Sequence, residues 1–199
     1  MNKFIVTTFL TVISVGALHA QSITRNNNTA SLLGQRYVTA EAEYFDIDSS
    51  NINHGGALGI NLPIAANFDA LFRYNYAWED GHTSQEEQTA TAGINAWYDA
   101  AASLRVFAGG DLGYTWGDAV AKDDWFYRVR AGGEYTLTSS LSLLAYATWS
   151  DGLDHHIADY WSGTAQAAYW LSSQIAVTAR AIWIEGGDFA YGLGVLFKF

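Results

Sequence analysis

From Gln35 to the last residue the chain alternates, almost without a break, between bulky apolar residues and small or polar ones. A period of two marks a β-strand whose faces meet different surroundings, because successive side chains point to opposite sides of the sheet. The final stretch is the clearest case. Phe189, Tyr191, Leu193, Val195, Phe197 and Phe199 share one face; Ala190, Gly192, Gly194 and Lys198 share the other, with Leu196 as the exception. Such a run predicts a strand with lipid against its apolar face and a lumen against the other.

Ten segments of this kind follow one another. One carries Phe68, Ala70, Phe72, Tyr74, Tyr76 and Trp78 on its apolar face; another carries Ile175, Val177, Ala179, Ala181 and Trp183. Two kinds of connection alternate between them. Those at 46–54, 79–87, 117–124, 150–159 and 185–188 are acidic, whereas those at 63–67, 99–103, 137–140 and 171–174 are short and nearly uncharged. Strict alternation gathers the acidic connections at one end, and an even strand count leaves both termini at the other. The expected fold is all-β: a transmembrane antiparallel up-and-down barrel of ten strands, with eight as the alternative count. A tilted strand crosses a bilayer in about 9–11 residues, and closure removes edges that lipid could not hydrogen-bond.

Residues 1–20 read as a signal peptide: Lys3 precedes an apolar run from Phe4 to Leu18, and Ala17-Leu18-His19-Ala20 supplies a small-residue cleavage site. Residues 21–34, with Asn26-Asn27-Asn28, form a short polar N-terminal segment, and 35–199 form the barrel domain. No later stretch approaches the apolar length of a membrane helix. The chain has no cysteine, which excludes disulfide and thiolate chemistry, and its net charge of −10 gives no basic surface for nucleic acid.

Charge and tryptophan sort along the same axis. The five acidic connections hold fourteen of the twenty acidic residues. Six of the eight tryptophans, Trp78, Trp116, Trp125, Trp149, Trp161 and Trp183, fall beside those connections, while Tyr98, Tyr135, Tyr169 and Phe199 fall near the other end. Two aromatic bands are what the two membrane interfaces favour. On the signal peptide, the alternation, the bands and the terminal Phe199, the chain resembles the small bacterial outer-membrane β-barrel proteins, the broad OmpA/OmpX-like group. The resemblance implies a bacterial outer-membrane location, outer-membrane lipids and lipopolysaccharide as surroundings, and insertion by the barrel-assembly machinery. It also implies that Tyr191, Leu193, Val195, Phe197 and Phe199 form the assembly signal.

The opposite strand faces define the lumen. They carry Glu41, Glu43, Asp69, Asp111 and Glu134 against Arg73, Arg105, Arg128, Arg130, Arg180 and Lys198. Ionised groups in a confined interior must pair or keep water, so this near-balance predicts an ion-pair network. Barrels of about eight strands are filled by side chains and wide channels use about 16, which puts ten strands near the filled limit. Arg128 and Arg130 share one strand face and suggest an anion-favouring constriction, which Glu41 and Glu43 would neutralise.

The function expected is a non-enzymatic structural or surface-interaction role, with a narrow pore for ions or small solutes as its accompaniment. The rival is a hydrolase at the rim. Asp154-His155 weakly echoes the Asp-x-His element of the omptin proteases, but the spacing differs. His155, His156, Asp154 and Asp159 offer imidazole and carboxylate, yet match no zinc motif. No catalytic residue, metal or cofactor is expected. The acidic rim also suits divalent cations bridging to lipopolysaccharide phosphates.

Overall fold

The computed structural model describes residues 30–48, 52–79, 85–120, 122–153 and 158–199. The alternating segments form ten strands: β1 (Tyr37–Asp46), β2 (Ile52–Ala65), β3 (Phe68–Glu79), β4 (Glu86–Ala101), β5 (Leu104–Trp116), β6 (Asp124–Thr136), β7 (Leu141–Gly152), β8 (Tyr160–Trp170), β9 (Ile175–Ile184) and β10 (Phe189–Lys198). Each pairs antiparallel with its sequence neighbour, and β10 returns to β1 to close the barrel. The closing seam runs unbroken from Tyr37↔Lys198 to Asp46↔Phe189. Ten strands, rather than eight, is therefore the architecture.

The short connections are built by their own side chains. Between β6 and β7, Thr138 Oγ1 accepts from the backbone N–H groups of Ser140 (3.2 Å) and Leu141 (3.1 Å). Between β8 and β9, Ser172 Oγ does the same for Gln174 (3.3 Å) and Ile175 (3.1 Å). Hydroxyl-capped turns of this kind satisfy backbone donors locally. Asn67, at φ 66°, makes the tight β2–β3 turn, a conformation that asparagine tolerates better than most residues.

The burial pattern is inverted relative to a water-soluble protein. Large apolar side chains face outward: Leu193 is 69% exposed, Leu58 60% and Leu112 55%. Charged side chains face inward, with Asp69, Glu134, Glu43 and Asp111 all buried. An apolar surface on this scale requires a cover, and no helix among the described residues is long and apolar enough to cross a membrane. Inside, space is shared closely. Gly132 stands between Phe107 and Tyr146 across β5, β6 and β7, and the missing side chain lets their rings meet edge to face at 5.8 Å.

Candidate functional site

Of the eleven charged residues predicted to face the lumen, Lys198 lies over the Trp170 ring, 3.7 Å from its centre, and the other ten form three groups. The first spans β1, β3 and β9. Arg73 Nη2 donates to Glu41 Oε2 and Glu43 Oε1, each at 2.8 Å, while its Nε donates to Asn75 Oδ1 at 2.9 Å. Asn75 Nδ2 donates in turn to Glu43 Oε2 at 3.1 Å. Arg180 comes from the other side, 2.8 Å from Glu41 Oε2 and also bonded to Glu43. The strands between give way: Ala57 and Gly55 on β2, and Gly194 and Gly192 on β10, stand opposite Glu41 and Glu43. Small residues there let the arginines reach across a whole strand.

The second group lies on the opposing wall. Asp111 of β5 is directly opposite Arg128 of β6. It accepts from Arg128 Nε at 2.7 Å and also from Arg130 Nη1. Arg130 Nε reaches over Gly109 to Asn95 Oδ1 at 2.9 Å. Arg128 and Arg130 are thus answered by Asp111, not by Glu41 and Glu43. The reason is topological, since β6 lies five strands from β1 around the ring.

The third group holds a feature the periodicity does not announce. Residues 30–34 turn into the short-turn end of the lumen and are buried there; Leu32 is 2% exposed and Leu33 5%. Glu134 serves as their anchor. Its carboxylate accepts from Ser31 Oγ at 2.6 Å, Leu32 N–H at 2.5 Å and Leu33 N–H at 3.1 Å. Asp69 Oδ2 accepts from Gly34 N–H at 2.6 Å. Arg105 Nη1 donates to Ser31 Oγ (2.6 Å) and to the Leu33 carbonyl (2.5 Å), and its Nε donates to Asp99 at 2.6 Å. Trp170 Nε1 donates to the Ala30 carbonyl at 2.9 Å. Leu33 packs with Trp97 and Phe107, while Leu32 and Ala30 pack with Trp170, Ala168, Ala176 and Leu196. Side chains of β3, β5, β6 and β8 therefore grip one five-residue segment from around the wall. Above it lies a cavity of about 580 Å³, floored by Leu32 and Leu33 and lined by both arginine groups up to Ile47 and Ile184.

Among solved structures, the chain is similar to the NanC porin, at 12% identity over 81% of this chain and 100% of that one, with a TM-score of 0.56. It is also similar to an outer-membrane channel of Pseudomonas putida F1 (11% identity, 89% and 100% coverage, TM-score 0.53) and to the KdgM porin (13%, 82% and 99%, 0.51). This is the fold of the small outer-membrane β-barrels. Likeness at such identity is one of fold. No protein-family model and no curated protein matches the chain.

The six predicted girdle tryptophans sit at the strand ends nearest the long connections, and Trp149 pairs with Trp161 across β7 and β8. Tyr191, Leu193, Val195, Phe197 and Phe199 all point outward. Beside them, the Arg36 guanidinium lies 5.8 Å from the centre of the Phe199 ring. The signal peptide, Asp154, His155 and His156 lie outside the described residues, as does most of the 21–34 segment. What the sequence reading missed is Ser31, Leu32, Leu33 and Gly34. Their only signal is a small apolar stretch, Ala30-Ser31-Leu32-Leu33-Gly34, between an asparagine run and the first strand.

Proposed function

We propose that this protein is a non-enzymatic integral barrel of a bacterial outer membrane, with a structural or surface-interaction role and a lumen stoppered by its own N-terminal segment. The observation that carries the reading is the seating of residues 30–34 on Glu134, Asp69 and Arg105 across one end of the lumen. A segment buried across the mouth, its Leu32, Leu33 and Gly34 N–H groups held by carboxylates of the wall, blocks passage of solutes whatever the width above it.

The outward apolar belt supports membrane insertion. In this reading the tryptophan-rich ends and acidic connections face outward, towards lipopolysaccharide, and the short turns and both termini face the periplasm. The arginine-lined lumen above the stopper supports a second state, a narrow pore for ions or small solutes, which exists only when the stopper is out. Planar-bilayer recording of the refolded full chain tests the resting state. A closed barrel with at most rare, brief openings is the expected result, and sustained conductance would overturn it.

A further inference from the structure

We propose that residues 30–34 form a releasable stopper, and that Arg105 and Glu134 make release reversible by changing partners. The inference rests on the reading of these residues as a stopper. Arg105 and Glu134 face each other directly on β5 and β6. With the stopper seated, the Ser31 hydroxyl stands between them, accepting from Arg105 Nη1 and donating to Glu134 Oε2, both at 2.6 Å. Opposed residues on neighbouring strands have Cβ atoms about 4.5–5.5 Å apart, well within reach of a guanidinium–carboxylate pair. When Ser31 withdraws, the two side chains close on one another. The exchange keeps both charges in a charge-assisted pair as the mouth opens.

The rest of the attachment suits the same motion. The stopper belongs to no strand, and the β1–β10 ladder begins beyond it at Tyr37↔Lys198. Phe199 N–H bonds the Arg36 carbonyl at 3.4 Å, which pins the chain just past the stopper. Gly34, at φ 77°, forms the bend between the two, a conformation glycine adopts without strain. Asn61 Nδ2 holds the Gln35 carbonyl to β2 at 2.6 Å, so movement about Gly34 empties the mouth while every strand pair stays intact. The mouth so opened is lined by Asp69, Arg105 and Glu134.

The full chain carries no cysteine, so Leu33→Cys places a single thiol on the buried face of the stopper. The refolded, membrane-inserted barrel is exposed to a small water-soluble thiol reagent, and heat-modifiable gel mobility checks the fold of each variant. Slow but complete labelling is expected. Adding Ser31→Ala should speed it about tenfold, since bonds to two charged groups are lost while the Arg105–Glu134 pair remains available after release. Adding Arg105→Gln should speed it less than Ser31→Ala, although it removes two bonds to the stopper, because the released state then leaves Glu134 without the guanidinium opposite it. Labelling at the rate of an exposed thiol in the unmodified background would mean that the segment is not seated, and the stopper reading itself would fail. No labelling, or a rate unchanged by Ser31→Ala, would leave the stopper standing and overturn its release. A faster rate for Arg105→Gln than for Ser31→Ala would overturn the exchange of partners.

Discussion

Ser31 Oγ lies 2.6 Å from Glu134 Oε2, across a sequence separation of 103 residues, and this contact joins the N-terminal segment to the barrel wall. Glu134 is 1% exposed and accepts from Ser31, Leu32 and Leu33. Glu134→Ala should therefore destabilise the folded barrel by about 2–4 kcal/mol, because it strands the Ser31 hydroxyl and the Leu32 and Leu33 N–H groups in a buried site. Urea unfolding in lipid vesicles measures this, and wild-type stability would show that the anchor carries no weight.

Asp111 answers two arginines on the opposing wall. Asp111→Ala should cost about 3–5 kcal/mol, because removing one member of a buried ionic group leaves the others uncompensated. Replacing Asp111, Arg128 and Arg130 together by uncharged residues of similar size should recover most of the loss. Equal stability for the single and triple variants would contradict the ionic account.

Gly132 tests packing without charge. A Cβ there would run into the Ala145 carbonyl and Tyr146. Gly132→Val should destabilise by about 1–3 kcal/mol through overpacking, and should shift the tyrosine near-ultraviolet signal as Tyr146 is displaced from Phe107. Gly186 has nothing within 4 Å of an added Cβ, although its φ of 104° leaves a backbone cost for any substitution there.

Deletion of Phe199 separates assembly from stability. The residue contributes one backbone bond to Arg36 and a ring beneath its guanidinium, so the purified variant should refold in detergent with nearly normal stability. In cells it should accumulate outside the membrane if the terminal aromatic is read during insertion. Normal insertion in cells would remove the assembly signal from the account.

Much of this molecule is legible in its sequence because a barrel wall obeys a local rule. Alternation at Phe68–Trp78 or Phe189–Phe199 fixes which face meets lipid, and the turn at Leu137–Ser140 carries its own capping hydroxyl. The inward position of the charged lumen residues follows from the same period. Their partners do not, because register and ring order decide them: Asp111 meets Arg128 through one strand pairing, while Glu41 meets Arg73 only across an intervening strand of small residues. The stopper is least legible. Ala30 to Gly34 follow no period, and their meaning comes from Glu134, Asp69 and Trp170, which lie far along the chain.

The central claim, that the protein closes its own lumen, is tested most directly by single-channel recording of two refolded proteins side by side. One is the full chain; in the other, glycine and serine replace residues 30–33. Closure broken only by rare, brief openings is expected of the first, and sustained conductance of the second. Equal open time for both, or silence from a correctly folded second protein, would contradict self-closure.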